Sequence, residues 1–128
     1  MLFRSALDDV VILTGYRPDA VRLMAGCDAF VLASKWEGLP VALMEASALG
    51  LPIVSTSVGG IPDAFRSGVD AMLVPSGDPQ ALAEAIVAIA NDPAWRRHLS
   101  EASARKSSDF DAERAVRRIE AMYAGSAV

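Results

Sequence analysis

The chain has 128 residues, a single cysteine and a formal net charge of −4. That length gives one domain with room for a core. The acidic balance excludes the basic footprint of a nucleic-acid binder, lone Cys27 excludes an internal disulfide and suits a reducing cytosol, and no apolar run approaches the length of a membrane span. The N-terminal residues carry no signal-peptide pattern, so a cytoplasmic protein is expected.

In chain order, residues 10–13 (Val-Val-Ile-Leu) form a continuous, mostly β-branched run and predict a buried parallel strand. A loop over 14–18 leads to a short helix over 19–25, which carries Val21, Leu23 and Met24. Cys27 has apolar neighbours and no histidine near it in sequence, so a small buried residue is expected there rather than a nucleophile. A second strand is predicted over 29–33. Pro40 suits the first position of a helix, because its missing N–H would be unpaired there. That helix runs to Leu49 and stops at Gly50, a residue fit for the left-handed cap. Leu51-Pro52 turns the chain into a third strand over 52–56. Gly59-Gly60 either lets a ligand come close to the backbone or makes only a tight turn. A short helical stretch over 63–66 and a fourth strand over 71–74 follow.

Strands alternating with helices predict an α/β chain, a parallel sheet of about four strands with covering helices. The rest of the chain reads as helix. Asp78-Pro79 and Asp92-Pro93 are cap-plus-proline starts. Leu82, Ala85, Ile86 and Ile89 make one apolar stripe, and Trp95, Leu99 and Ala102 another. The last helix, over 111–124, holds Ala115, Ile119 and Met122 on one side. Its Arg114, Arg117 and Arg118 are read as a solvated face, with a basic membrane patch as the alternative that Glu113 and Glu120 weaken. His98 is assigned no role.

Two carboxylates stand out. Glu45 lies in the central helix with Val41, Ala42, Ala48 and Leu49 at three- and four-residue spacing, so its helical neighbours are all apolar. A helix apolar nearly all round is a buried helix, and a carboxylate there needs a partner. Either an ion pair or a ligand satisfies it; a carboxylate accepts well from a pair of neighbouring hydroxyls, as in a ribose diol. Glu37 lies on the loop before the helix, on the side of its N-terminus. The free N–H groups and positive dipole end there suit a phosphate.

The spacing Glu37-Gly38-Leu39-Pro40-Val41-Ala42-Leu43-Met44-Glu45 is Glu-x7-Glu. With Thr14-Gly15-Tyr16-Arg17, Ala29-Phe30-Val31-Leu32-Ala33-Ser34, Gly50-Leu51-Pro52-Ile53-Val54, Val58-Gly59-Gly60-Ile61-Pro62, Leu73-Val74-Pro75 and Gly77-Asp78-Pro79 in order, the sequence resembles the C-terminal part of GT-B glycosyltransferases of the group 1, or GT4, family. The resemblance implies a partial Rossmann-like domain that binds the nucleotide-sugar donor, such as a UDP- or GDP-hexose, for a retaining glycosyltransferase. It implies that Glu45 holds the ribose hydroxyls and that Glu37 contacts the transferred sugar. It implies that the backbone of Gly38, Leu39 and Val41 faces the sugar and diphosphate, and that Gly15, Tyr16 and Arg17 lie near the base. No metal or other cofactor is implied.

The match is incomplete. The resemblance implies that the N-terminal acceptor domain and the first two strands of the donor domain are absent from residues 1–128, so this chain alone is expected to transfer no sugar. The family's upstream basic pair finds no counterpart, since Arg4 stands in no matching context. The family loop often reads Glu-Gly-Phe-Gly; Pro40 in the last position removes an N–H, and Asp63 stands where Glu is usual. The strand over 10–13 would then lack its neighbours. It is expected to slide against the strand over 29–33, or to pair with another copy in a homodimer or strand exchange, rather than stay unpaired. A non-catalytic nucleotide-sugar-binding module and a GT-B-like nucleotide-sugar epimerase are the alternatives.

Overall fold

The computed structural model describes residue 7 and residues 9–125. Helix α1 (Ala20–Met24) precedes strand β1 (Phe30–Leu32). The central helix α2 (Val41–Ala48) leads to β2 (Ile53–Thr56), the short α3 (Ile61–Ala64) to β3 (Met72–Val74), and α4 (Pro79–Asn91), α5 (Pro93–Lys106) and α6 (Ala112–Tyr123) complete the chain. The sheet has three parallel strands in the order β1-β2-β3. Phe30 stands opposite Ile53, and Val54 opposite Met72.

The sheet is covered on both faces. Ile53 points into a cluster with Leu43, Ala46, Leu51, Ile61, Phe65 and Ala71, built largely from α2 and α3. Val54, next along the strand, points into a second cluster with Val74, Ala85, Ile89 and Leu99 from α4 and α5. Alternation of side chains along a strand produces this division. With both faces covered, every residue of β2 is buried. Helix α5 packs on α2, α4 and β2 together, and the Ser100 hydroxyl donates to the Gly50 carbonyl at 2.6 Å.

The expected ends of α2 hold with one shift. Gly50 has φ 67°, Leu51 N–H donates to the Ala46 carbonyl and Gly50 N–H to Ser47, both at 2.9 Å. This is the paired bonding of a Schellman cap. Pro40 is the residue before the first helical one, at φ −71° and ψ 131°. The two Asp-Pro starts act as expected: Asp78 accepts from Ala81 N–H and Asp92 from Trp95 N–H, each at 2.9 Å.

Several expectations are corrected. Residues 10–13 form no strand: in this chain they do not slide against β1, and Ile12 and Leu13 are 86% and 90% exposed. The sheet therefore has three strands rather than about four, since the strand neighbours this run would need are not in the sheet. Cys27 is exposed rather than buried; it follows a turn beyond α1, a helix with no buried residue. The short helix starts at Ile61, not Asp63, because Ile61 N–H donates to Val58 and the turn winds directly into helix. Helix α2 is buried on one side only: Leu43, Ala46 and Ser47 are inside, Val41 and Ala48 outside. A helix apolar all round carries no periodic mark of which side is covered. The apolar side of α6 is bare too, with Ile119 and Met122 exposed. Arg4 lies outside the described residues. Among the described residues no helix is long and apolar enough to cross a membrane.

Candidate functional site

The carboxyl ends of parallel strands are where open α/β sheets bind ligands. Here the ends of β1 and β2 are tied together. Thr56, the last residue of β2, donates its hydroxyl to the Ser34 carbonyl beyond β1 at 2.6 Å. The Ser34 hydroxyl donates to Glu37 Oε1, also at 2.6 Å. The Gly60 N–H donates to the Gly38 carbonyl at 2.7 Å. The loop carrying Glu37 is thus fastened to the end of β2 and to the turn after it. Glu37 is half-buried.

From this loop the chain enters α2, whose N-terminus has no side-chain cap. The backbone N–H groups of Gly38, Leu39 and Val41 meet no acceptor among the described residues. Donors left over at a helix start, aligned with its dipole, make an anion site. Glu45 lies on the second turn of this helix and is half-buried. Its carboxylate has no ion pair and no hydrogen bond among the described residues, so of its two readings the ion pair is not found. Its apolar neighbours Val41 and Ala48 face outward, which leaves the carboxylate within reach of a ligand.

Glu37, Gly38, Leu39, Val41 and Glu45 therefore share one segment at the sheet's carboxyl edge. Gly15, Tyr16 and Arg17 do not join them by any hydrogen bond among the described residues. Gly15 has φ 65° and Tyr16 is 92% exposed. The Arg17 guanidinium grips Asp19 through both oxygens at 2.8 Å, and this bond holds the Asp19 carboxyl below its ordinary pKa. Arg17 would have to release Asp19 before meeting a base. No group of three or more His, Cys, Asp and Glu residues placed to hold a metal occurs among the described residues.

The roles of Ser34 and Thr56 were not picked out by sequence reasoning. The spacing Ser34-x-x-Glu37 is that of a capping box, in which each side chain meets the other residue's backbone N–H, whereas here the hydroxyl meets the carboxylate itself. Thr56 had no local signal, because its partner is 22 residues away. Of the two readings of Gly59-Gly60 the structure shows the tight turn, closed by the Ile61 N–H donating to the Val58 carbonyl, and the group lying close to it is the chain's own backbone. A Cβ on Gly59 would overlap the Glu37 carbonyl.

The model of the group 1 glycosyl transferases matches residues 2–92. Over 96 residues, 69% of the chain, the sequence is 41% identical to an amylovoran biosynthesis glycosyltransferase of Erwinia amylovora, of which it covers 24%. Over 119 residues, 91% of the chain, it is 31% identical to the N-acetyl-alpha-D-glucosaminyl L-malate synthase of Bacillus anthracis, of which it covers 31%. The fold is similar to Anabaena HepE solved with UDP and glucose, with a TM-score of 0.86 and 26% identity, across 93% of this chain and 33% of that one. The chain thus spans about a quarter to a third of the relatives it matches.

Proposed function

The chain belongs to the group 1 glycosyl transferases, and from that premise we propose that it is the donor-binding part of a retaining enzyme that moves a hexose from a nucleotide-sugar to an acceptor hydroxyl. The observation that carries the reading is the uncapped start of α2, with Glu37 before it and, on its second turn, a Glu45 that is unpaired among the described residues. A nucleotide-sugar presents hydroxyls, a diphosphate and a ribose in a row, and this segment offers a group for each. The free N–H groups of Gly38, Leu39 and Val41 meet the diphosphate and sugar. Glu45 accepts from the ribose hydroxyls, and Glu37 meets the transferred sugar near the carbon that changes partner. Gly15, Tyr16 and Arg17 lie toward the base.

In the transfer, the bond from the anomeric carbon to the diphosphate breaks and a bond to the acceptor oxygen forms. The nucleoside diphosphate leaves with the bonding electron pair, and the proton of the acceptor hydroxyl passes to its departing phosphate oxygen. Positive charge develops on the sugar at the midpoint, where the Glu37 carboxylate stabilises it electrostatically. No metal or other cofactor is part of this reading, since the helix start offsets charge on the diphosphate. A UDP- or GDP-hexose fits as donor, and the likeness to a fold solved with UDP and glucose supports the first. The acceptor and much of the positioning belong to a second domain, so these 128 residues alone bind donor weakly and transfer nothing. The lone thiol fits a cytoplasmic setting.

The test is a titration of the chain with UDP-glucose and GDP-mannose, followed by amide shifts. Saturable shifts at Gly38, Leu39 and Val41, weakened in Glu45→Gln, are expected. Shifts confined elsewhere, or a Glu45→Gln variant that binds as well as the parent, would refute the assignment. Sugar turnover by the purified chain would refute its inactivity.

A further inference from the structure

The donor reading gives Glu37 a task that needs a fixed carboxylate, and a loop residue has no fixed position of its own. We infer that Thr56, Ser34 and the Gly59-Gly60 turn are positioning residues for Glu37, an inference that rests on the donor-binding role proposed for that residue. Three observations meet on one short loop. Thr56, 4% exposed, fixes the backbone of Ser34 through its hydroxyl at 2.6 Å. The Ser34 hydroxyl spends its one hydrogen on Glu37 Oε1 at 2.6 Å. A hydroxyl bonded to a carboxylate at that separation is among the stronger protein hydrogen bonds. It orients the group and leaves Oε2 without a partner among the described residues, open to a sugar hydroxyl.

The glycine pair secures the other side. Gly59 has φ 55° and lies against the Glu37 carbonyl so closely that a side chain has no room. A Cβ on Gly60 would come within 3.0 Å of the Gly38 carbonyl, the same oxygen that accepts the Gly60 N–H at 2.7 Å. The turn after β2 is therefore a seat for the Glu37-Gly38 peptide. At Gly59 glycine is required by two constraints at once, a left-handed backbone and a backbone neighbour. The device couples β2, through its last residue and the following turn, to a carboxylate on the loop that follows β1.

The experiment uses Ser34→Ala, Thr56→Val, Thr56→Ser and Gly59→Ala in the same chain, with thermal melts to confirm folding. Without ligand, Glu37 side-chain couplings should show one rotamer in the parent and averaging in Ser34→Ala and Thr56→Val. Exchange of the Gly60 amide should quicken at least about tenfold in Gly59→Ala, the effect of about 1.4 kcal/mol. With ligand, UDP affinity should hold while the preference for UDP-glucose over UDP falls about two- to tenfold in Ser34→Ala and Thr56→Val, the range of one hydrogen bond. Thr56→Ser should restore it. Unchanged couplings and unchanged preference would overturn the inference, as would a loss of UDP and UDP-glucose affinity alike. If the parent binds neither nucleotide, the donor reading fails, and the ligand-free measurements still decide whether the loop is held.

Discussion

Residues 10–13 and β2 are both short runs rich in β-branched side chains, and the first is the more apolar, since β2 ends in Ser55 and Thr56. They end in opposite states. Ile53–Thr56 has a strand on each side, a helix layer on each face, and every residue buried. Val10, Val11, Ile12 and Leu13 are 73%, 49%, 86% and 90% exposed and pair with no strand. The hydrophobic effect has no direction: it sets what burial is worth, not which surface supplies it. A run is buried only where the topology brings other elements around it. Helix α6 repeats the lesson, since its apolar side is as regular as that of α4 but Val116, Ile119 and Met122 on it stay exposed.

The sharpest break of this comparison is at the core. Phe65, fully buried and 5.6 Å from the Phe110 ring, is expected to cost about 3–5 kcal/mol as Phe65→Ala in urea unfolding. Leu13→Ala should fall within about 0.5 kcal/mol. If Leu13→Ala costs as much as the core change, and stability also rises with protein concentration, then 10–13 are buried between copies, and the contrast holds only for the single chain.

A second experiment separates backbone from packing. An added Cβ at Gly50 would meet Ala104 Cβ at 3.6 Å and the Ser100 carbonyl at 4.0 Å, both ordinary contacts. Gly50→Ala should therefore cost about 1–2 kcal/mol by unfolding, from the left-handed φ alone. A near-zero cost would mean that the cap is not formed in solution.

Smaller again is the start of α5, where Asp92→Ala removes the acceptor of Trp95 N–H. A loss of about 1 kcal/mol is expected, and Asp92→Asn should recover most of it. The smallest effect is electrostatic and lies outside the core. The side-chain hydrogen bond from Lys106, with its charge, lowers the Asp109 pKa. A carboxyl depressed on folding adds stability above its unfolded pKa and loses it as pH falls through the folded one. Parent stability should thus decline more steeply than that of Asp109→Asn below about pH 4, and equal slopes would show that this exposed pair contributes nothing.

How far the sequence reached depends on the range of the interactions involved. Helix ends were legible because Gly50, Asp78 and Asp92 act on backbone groups within a few residues. The three core strands and their parallel pairing agree with expectation, since short βα units leave parallel neighbours few alternatives. The Glu37–Val41 loop and Glu45 were legible through one spacing in one segment. What escaped has partners far along the chain. Thr56 bonds a carbonyl 22 residues back, and Gly59 faces the backbone at Glu37. Neither the exposure of Cys27 nor the bare sides of α2 and α6 could be read, since composition records an appetite for burial and only the assembled neighbours satisfy it. The sequence by itself determined the elements, their caps and the segment that carries the candidate site. The tertiary structure decided which apolar surfaces found a partner and how one loop carboxylate is held, because both depend on contacts between residues that local propensity does not link.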